Sequence, residues 1–315
     1  MVNRRVFAAG LGAGLAAAFL QTSTQALAQA RQMVFLGYTQ DELDKAYDQR
    51  VWAPDAQAII DRYARDSAAV RGRMPPRTER YGDGQAETLD IFAPPGASGA
   101  PVMVFIHGGA WRALTKDDAS APAPTFVDAG CIYVALNFDN IPTVRLPDMA
   151  EQCRRALVWV HRNIARFGGD PGRIHVSGHS SGGHLCGVML TTDWRRHDAP
   201  ADMIKGGAAL SGMYELYPVL LSARSAYVKL SPDEVAALSA MRHLDHVACP
   251  VIVAWGDRES PEFQRHGAEF ATALAGMGRL RARLVLEGVN HFEVPEALND
   301  PASGLARAVL AMMKG

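Results

Sequence analysis

Residues 178–182 read Gly-His-Ser-Ser-Gly and lie between an apolar run and a helix-like segment. A serine at the centre of Gly-x-Ser-x-Gly, between a strand and a helix, is typical of the tight turn that presents a nucleophilic hydroxyl. The two glycines let neighbouring backbone approach where a Cβ would clash, and they leave Ser180 strained and exposed. The chain has 29 glycines, so the pattern is informative only if a base, an acid and oxyanion donors accompany it.

Oxyanion donors are predicted in residues 107–111, which read His-Gly-Gly-Ala-Trp and follow the apolar run at 101–106. An acyl-transfer enzyme must stabilise the negative oxygen of its tetrahedral intermediate, and preorganised backbone N–H groups do this well. Adjacent glycines let the chain turn its amides toward one point, and the residue after the nucleophile supplies a further donor. The predicted donors are the N–H groups of Gly108, Gly109, Ala110 and Ser181.

A general base has to be chosen from ten histidines. Histidine is the usual base for a serine because its ordinary pKa lies near neutral pH. His179 and His184 flank the serine too closely in sequence to reach over it easily. His291 follows the last predicted strand, at 283–286, where the chain order of nucleophile, acid and base requires the base. We therefore predict that His291 deprotonates Ser180.

The orienting acid is expected in the segment after the predicted strand at 250–255. Aspartate is the commoner residue in this role, which favours Asp257, whereas the third position after Gly256 favours Glu259. Either carboxylate would hold the imidazole in its tautomer and stabilise the imidazolium. A third carboxylate, Glu262, is expected to begin the next helix, where a negative charge is favourable. Glu259 is preferred and Asp257 stays open.

Strands that alternate with helices are predicted to position these residues. Continuous apolar runs indicate strands buried on both faces, and apolar stripes at helical spacing over 149–167 and 262–277 indicate helices between them. This alternation implies an α/β fold with a mostly parallel central sheet, helices on both faces, and a ligand site at the carboxyl ends of the strands. We expect a catalytic domain over residues 76–315 with a short cap insertion at about 213–243. The predicted pocket residues are Trp111, His179 and Tyr214.

The first 75 residues are expected to have two parts. Residues 1–30 combine Arg4 and Arg5, an apolar Gly/Ala-rich run and a small-x-small site, which is the pattern of a cleavable export signal. The paired arginines resemble a twin-arginine signal, while the alanines that follow leave the Sec route open. Residues 31–75 predict a helical arm, amphipathic from 39 to 67, that packs over the catalytic domain without obvious chemistry. Its Tyr and Trp side chains are alternative candidates for a substrate entrance.

Composition narrows the possible partners and the compartment. A formal net charge of −1 gives no reason to expect nucleic acid or an anionic membrane as a partner. The four cysteines lie in apolar contexts, where buried thiols are common, although an oxidising compartment would permit disulfides. Their spacing suggests no metal site. We expect a periplasmic or secreted protein that acts on a small-molecule ester or amide, and the sequence leaves its oligomeric state open.

Five stretches resemble the α/β-hydrolases near kynurenine formamidase and the hormone-sensitive-lipase-like carboxylesterases. They lie at residues 107–111, 167–171, 178–185, 260–263 and 290–292. The Ser-Pro-Glu-Phe stretch at 260–263 and His291-Phe292 point to the formamidase-like branch, in which the residue before Ser-Pro-Glu-Phe is the triad acid. The resemblance therefore implies Glu259, although aspartate is usual at that position.

The resemblance implies the α/β-hydrolase fold and a serine hydrolase that cleaves carboxylic esters through an acyl-enzyme, without a metal or organic cofactor. Aryl formamides are the alternative substrates. Because breakdown of N-formylkynurenine is intracellular, the predicted export signal argues against that compound. A non-catalytic binding protein with this fold is a remote alternative, since such proteins usually lose a triad or oxyanion member and none is missing here.

Overall fold

The computed structural model describes residues 32–315, so the predicted export signal at 1–30 lies outside the described residues. The strands are β1 Met33–Phe35, β2 Tyr38–Thr39, β3 Arg77–Arg80, β4 Thr88–Phe92, β5 Ala100–Ile106, β6 Ile132–Leu136, β7 Gly169–His179, β8 Ile204–Leu210, β9 Val251–Gly256 and β10 Leu280–Leu286. The helices are α1 Gln40–Tyr47, α2 Ala56–Arg73, α3 Ala123–Asp128, α4 Leu146–Asn163, α5 Ser181–Leu190, α6 Tyr217–Leu221, α7 Pro232–Leu238, α8 Pro261–Gly276 and α9 Gly304–Lys314.

An eight-stranded sheet forms the centre of the fold, in the order β10-β9-β8-β7-β5-β6-β4-β3. Strand β4 runs antiparallel to both β3 and β6, and every other neighbouring pair is parallel. Parallel strands are joined by crossover connections, and each connection crosses one face of the sheet. The helices in these connections therefore cover both faces of a mostly parallel sheet. The predicted fold class is confirmed.

Burial of the strands explains their composition. Strand β5 is buried along its whole length, and its alternate residues belong to different cores. Val102 and Val104 face the core that contains α4 and α5, whereas Met103 and Phe105 face the core that contains α3 and α9. The edge strand β3 is polar and mostly exposed, which discourages pairing with another chain.

The register of the sheet brings the loops after the central strands to one edge. Ile106, the last residue of β5, pairs with Gly178 near the end of β7. His179 pairs with Leu210, the last residue of β8, and Gly256 pairs with the last residue of β10. The segments that follow β5, β7, β8, β9 and β10 therefore converge.

The N-terminal arm forms two helices, whereas the sequence pattern indicated one amphipathic stretch from 39 to 67. Helix α1 begins at the N-cap Thr39, which forms a reciprocal capping box with Glu42. Pro54 separates α1 from α2, because proline lacks a backbone N–H and restricts Ala53 away from helical geometry. Within residues 32–315, no helix has both the length and the apolar character that a bilayer crossing requires.

The cysteines are buried free thiols, as their apolar contexts favoured. Burial raises the pKa of the Cys153 and Cys249 thiols to about 12. Thiols held neutral in this way act as small apolar core residues. The cysteines that the structure describes therefore contribute packing rather than covalent links.

Candidate active site

Ser180 occupies a strained turn between β7 and α5, with φ 58° and ψ −121°. A positive φ is uncommon for a residue with a side chain. Here it forms the sharp turn from strand to helix that presents the serine hydroxyl. The flanking glycines are required by close backbone contacts. A Cβ at Gly178 would lie 2.2 Å from the carbonyl oxygen of Gly182, and a Cβ at Gly182 would lie 2.1 Å from that of Ile106.

His291 connects Ser180 to Glu259 by two hydrogen bonds. Its Nε2 lies 2.9 Å from the Ser180 Oγ, and its Nδ1 lies 2.9 Å from the Glu259 Oε2. A carboxylate accepts, so Nδ1–H donates to Glu259 and Nε2 is left to accept from the Ser180 hydroxyl. All three side chains are buried, so Ser180 is not exposed at the surface as the turn predicted. This tautomer is the one in which an imidazole can remove a proton from serine.

Glu259 is held by more than the histidine. Its Oε1 accepts from the Ser211 hydroxyl at 2.5 Å and from the Gly256 backbone N–H at 2.8 Å. A buried carboxylate needs such donors to offset the loss of its hydration. Ser211 was missed by the sequence reasoning. The only signal for it was a small polar residue directly after the predicted strand that ends at Leu210.

Asp257, the alternative acid, does not contact His291. Its side chain is exposed, and its Oδ1 accepts from the Gly288 backbone N–H at 2.8 Å. The residue directly after β9 thus faces the loop after β10 at the surface, whereas Glu259 turns into the buried edge of the sheet. The structure brings Glu259 rather than Asp257 to the base, and the Asp257 alternative is wrong.

Aromatic rings surround the imidazole of His291. Phe263 and Phe292 pack edge-to-face against it, with ring centroids 4.8 and 5.3 Å away. The His179 ring lies 4.7 Å away, and its Nε2–H donates to the backbone carbonyl of His291 at 2.9 Å. Burial, together with the neighbouring His291, holds the pKa of His179 well below its ordinary value. His179 is therefore a neutral donor that fixes the backbone of the base.

The glycine loop after β5 packs directly on the serine. A Cβ at Gly108 would lie 3.2 Å from the Ser180 Cβ. Gly109 and Ala110 have φ values of 107° and 54°, and a Cβ at Gly109 would lie 2.0 Å from the carbonyl oxygen of Ala113. This left-handed backbone turns the loop back on itself. Within residues 32–315, the N–H groups of Gly108, Gly109 and Ala110 donate to no backbone carbonyl. Ser181, the fourth predicted donor, begins helix α5, where the first N–H groups have no partner within the helix.

The side chain of His107 stabilises the conformation of the glycine loop. Its Nδ1 lies 2.9 Å from the carbonyl oxygen of Gly108, and its ring stacks on Phe138 at a centroid distance of 4.3 Å. Burial lowers the pKa of His107 to about 4, so the imidazole is neutral at neutral pH. Because a carbonyl oxygen accepts, the proton of the neutral ring lies on Nδ1, and this hydrogen bond fixes the peptide at the start of the donor loop.

A cavity of about 190 Å³ opens above Ser180. It is lined by Asp48, Gln49, Arg50, Ile60, Tyr63, Gly109, Ala110, Ala113, Leu114, His179, Ser180, Arg224, His291 and Phe292. Of the three predicted pocket residues, His179 lines this cavity. The predictions for Trp111 and Tyr214 are wrong.

Both misassigned aromatics lie in the core under the elbow. Trp111 is 1% exposed, and its indole N–H donates to His184 Nδ1 at 3.3 Å. Tyr214 is fully buried, with its ring stacked on Phe270 at 4.0 Å and its hydroxyl accepting from the Gly212 N–H. Their polar atoms are satisfied inside the protein, so these rings support α5 instead of facing a substrate.

Comparison with known proteins places the chain in a family. The model of the BD-FAE family matches residues 89–209, which include the glycine loop and the elbow. Kynurenine formamidase from Salmo salar is 31% identical over 74% of this chain and 80% of its own length. The chain belongs to the kynurenine formamidase and esterase group of α/β-hydrolases. Kynurenine formamidase from Danio rerio is 29% identical over 87% of this chain and 97% of that protein.

A solved structure supports the same placement of this α/β-hydrolase. A putative thioesterase from Silicibacter sp. is 26% identical, with a TM-score of 0.75 over 87% of this chain and 99% of that one. The shared fold, the relatives and the family match together identify the protein as a hydrolase enzyme.

In this hydrolase the N-terminal arm covers the cavity and contacts the catalytic loops. Gln49 and Ser260 exchange hydrogen bonds, from the Gln49 amide to the Ser260 hydroxyl at 2.7 Å and from the Ser260 N–H to the Gln49 Oε1 at 3.1 Å. Tyr63 donates its hydroxyl to the carbonyl oxygen of Phe292. The arm thus touches the neighbours of both Glu259 and His291. The sequence predicted that the arm packs over the catalytic domain and offered its Tyr and Trp side chains as candidates for a substrate entrance, and Tyr63 lines the cavity. The contact of Gln49 with Ser260 had no signal in the sequence.

Proposed function

We propose that the protein is a serine hydrolase that cleaves small carboxylic esters through an acyl-enzyme. Ser180 is the nucleophile, His291 the general base and Glu259 the residue that orients the base. The observation that carries this proposal is the continuous hydrogen-bonded chain from Ser180 through His291 to Glu259 at the base of a cavity. An isolated strained serine would lack the base that makes its hydroxyl nucleophilic.

The reaction proceeds by two acyl transfers. The Ser180 Oγ attacks the carbonyl carbon while His291 Nε2 takes the hydroxyl proton, and the carbonyl oxygen becomes an oxyanion. Backbone N–H groups of Gly109, Ala110 and Ser181, with Gly108 beside them, stabilise that oxyanion. His291 then returns the proton to the leaving alcohol, which departs as the acyl-enzyme forms. Water, deprotonated by His291 Nε2, attacks the acyl carbon, and His291 then gives that proton to the Ser180 Oγ as the acyl–oxygen bond breaks and the carboxylic acid leaves.

Aryl formamides are the second candidate substrates. The two relatives described above are named kynurenine formamidase, and a formyl group is the smallest acyl group that could enter the cavity. The rings of Tyr63 and Phe292 line the same cavity and offer apolar surface to an aryl leaving group. An amide has a poorer leaving group than an ester, so the same machinery is expected to cleave activated esters faster.

A panel of small aliphatic and aryl esters and aryl formamides, assayed on purified protein, tests the proposal. We expect turnover of short-chain esters and a loss of about 10³-fold or more in kcat for Ser180→Ala. The Ser177→Ala variant is the matched control, because that hydroxyl donates to the Ala208 carbonyl within the sheet and does not line the cavity. Full activity in Ser180→Ala would contradict the mechanism, and faster turnover of formamides would reverse the substrate ranking.

We also propose that the protein is exported to the periplasm or beyond by its N-terminal signal. The support is the run of Arg4, Arg5 and the apolar segment before the small-x-small site. Expression of the full chain followed by cell fractionation tests this proposal. Processed protein in the periplasmic or extracellular fraction supports it, and full-length protein confined to the cytoplasm contradicts it. A double variant, Arg4→Lys with Arg5→Lys, distinguishes the two export routes. Cytoplasmic retention of the variant protein would indicate the twin-arginine route, whereas unchanged export would indicate Sec.

A further inference from the structure

Arg224 reaches the catalytic cavity from the segment after α6. Its Nε and Nη2 donate to the backbone carbonyl of Tyr47, at 3.0 and 2.7 Å. The remaining nitrogen, Nη1, is buried and has no hydrogen-bond partner within residues 32–315. Arg224 lines the same cavity as Ser180 and His291. Of this cavity-lining guanidinium, two nitrogens are held by the Tyr47 carbonyl and one buried donor has no acceptor in the described part of the chain.

The positive charge of Arg224 also lacks a counter-ion. Among the described residues, no carboxylate oxygen lies within 4.0 Å of its guanidinium nitrogens, and the neighbouring Glu262 is paired with Arg265 at 2.8 Å. The guanidinium lies over the rings of Trp111 and Phe263, at 5.6 and 5.9 Å. Aromatic faces stabilise a cation but accept no strong hydrogen bond. Arginine stays charged when buried, and a buried charged donor without an acceptor is costly.

The other charged residues of the cavity do not satisfy Arg224. Asp48 and Arg50 are exposed in the structure, and an Asp48 carboxylate oxygen accepts from the Arg50 backbone N–H at 3.1 Å. Arg50 adds a second guanidinium to the cavity lining. The two guanidinium groups in the cavity lining thus favour a bound anion. A carboxylate is well suited, because its two oxygens fit the hydrogen-bonding geometry of a guanidinium.

We propose that Arg224 is a specificity-determining residue that binds a carboxylate of the substrate, remote from the bond that is cleaved. The inference rests on the proposed function and narrows its substrate class to acid-bearing esters or amides. The carboxylate oxygen accepts from the Nη1–H, while the Tyr47 carbonyl keeps the guanidinium in place. The carboxylate belongs either to the acyl part or to the leaving group, and the two positions are separate arms of the experiment.

Matched substrate pairs test the proposal. The acyl arm compares 4-nitrophenyl hydrogen glutarate with 4-nitrophenyl valerate, in which a methyl group replaces the carboxylate. The leaving-group arm compares 3-acetoxybenzoate with 3-methylphenyl acetate. In at least one arm we expect kcat/KM to be about tenfold higher for the carboxylate-bearing substrate. We expect Arg224→Gln to abolish that preference, so that kcat/KM falls about tenfold more for the carboxylate-bearing substrate than for its neutral partner.

Two further variants separate charge recognition from structural support. Arg224→Lys keeps a cation that can reach the Tyr47 carbonyl, so it should retain part of the preference. Arg65→Gln makes the same change of charge at an exposed arginine on the outer side of α2 and should leave the preference unchanged. Equal loss on both members of a pair in Arg224→Gln, or wild-type protein without a preference in either arm, overturns the proposal.

Binding without turnover distinguishes this proposal from the proposed function. In the Ser180→Ala background, glutarate should raise the unfolding temperature more than valeramide does, and Arg224→Gln should remove the difference. That result together with no hydrolysis of any ester by the wild-type protein, neutral or carboxylate-bearing, would support the anion site and overturn the serine hydrolase mechanism. The opposite outcome is turnover of neutral esters, with no rise in unfolding temperature on adding glutarate and no preference for either carboxylate-bearing substrate. It would support the serine hydrolase mechanism and overturn the anion site. If Arg224→Gln is unstable, Arg224→Lys provides the test, and an unchanged full preference in that variant would overturn the assignment to Arg224.

Discussion

The floor and the roof of the catalytic cavity are built by different means. The floor consists of the glycine loop at 107–111, the elbow at 178–182, Glu259 and His291, and each part follows a strand of one sheet. The roof consists of residues lining the cavity from the arm and from the segment after α6, namely Asp48, Gln49, Arg50, Ile60, Tyr63 and Arg224. Chemistry is thus fixed by short loops on a rigid sheet, while substrate contacts come from parts far apart in the chain.

The two regions nevertheless support each other. Gln49 and Tyr47 of the arm contact Ser260 and Glu262, which begin the helix directly after Glu259. Arg224 donates in turn to the Tyr47 carbonyl. The roof therefore helps to fix the acid loop as well as to enclose substrate. If this division is correct, changes in the floor should lower kcat, and changes in the roof should alter KM and substrate ranking.

The largest effect is expected from Glu259→Gln in the floor. This change keeps the shape but removes the charge that holds His291 in its tautomer, so kcat should fall by about 10³-fold or more with little change in KM. Steady-state kinetics on a short-chain ester provide the measurement. Asp257→Asn is the matched control two residues away, and its kcat should stay within about twofold of wild type. A larger loss in Asp257→Asn would move the acid to that residue.

Gly109→Ala should reduce kcat by about 10²-fold, because loss of an oxyanion donor has effects of this size. A Cβ at this position would lie 2.0 Å from the Ala113 carbonyl oxygen and would force the loop to shift. Gly130 also has a positive φ, of 82°, but its Cβ would meet no atom within 4 Å. The Gly130→Ala variant should therefore lose stability alone. Equal kcat in the two alanine variants would remove the glycine loop from the mechanism.

Acid should destabilise the floor and the helix α5 that follows the elbow rather than the roof, because the arm at residues 31–75 contains no histidine. Burial lowers the pKa of His107 and His184 to about 4 in the folded protein. The unfolded chain binds protons at these histidines below about pH 6.5, whereas the folded protein does not until about pH 4. Their contribution to stability is therefore complete above about pH 6.5 and is lost as the pH falls toward 4.

Each of these histidines should remove about 2 kcal/mol from the free energy of unfolding between about pH 7.5 and pH 5. Urea unfolding at several pH values measures this slope. His184→Gln should give a shallower slope than wild type, while a variant of the exposed arm, such as Gln57→Ala, should keep the wild-type slope. A slope that His184→Gln leaves unchanged would show that this histidine is not kept neutral by burial.

The smallest effect is expected in the roof. Ile60→Trp enlarges a side chain that lines the cavity, so KM should rise about tenfold for esters with bulky acyl groups and change little for acetates. Ala64→Trp, on the exposed side of the same helix, is the control for the added ring. Michaelis kinetics over a series of acyl lengths provide the test. A loss of kcat that is equal for all acyl lengths would assign Ile60 a structural role.

The contrast also explains which features were predictable from sequence. Ser180 and His291 follow predicted strands in the chain order that the chemistry requires, so their types and positions identified them as candidates. Asp257 and Glu259 are two residues apart on one loop, and only the folded path shows that Asp257 faces solvent while Glu259 faces the base. Spacing alone did not determine that path.

Residues that act through tertiary packing were the least predictable. Trp111 and Tyr214 have the side chains expected of either a pocket or a core, and local sequence does not show which surroundings a ring will have. Arg224 is separated from its Tyr47 contact by most of the chain, so its place above Ser180 has no local signature. The helical pattern of the arm was visible, but the surface that it covers was not.

The central claim is that Ser180 forms the acyl-enzyme at the base of this cavity. Its most direct test is reaction with a fluorophosphonate, followed by mass spectrometry of the intact and digested protein. We predict loss of ester hydrolysis in proportion to one equivalent of bound label, with the label on the peptide that contains residues 178–182, and no labelling of Ser180→Ala. Label on a different residue, or full hydrolysis by protein labelled at Ser180, would contradict the account.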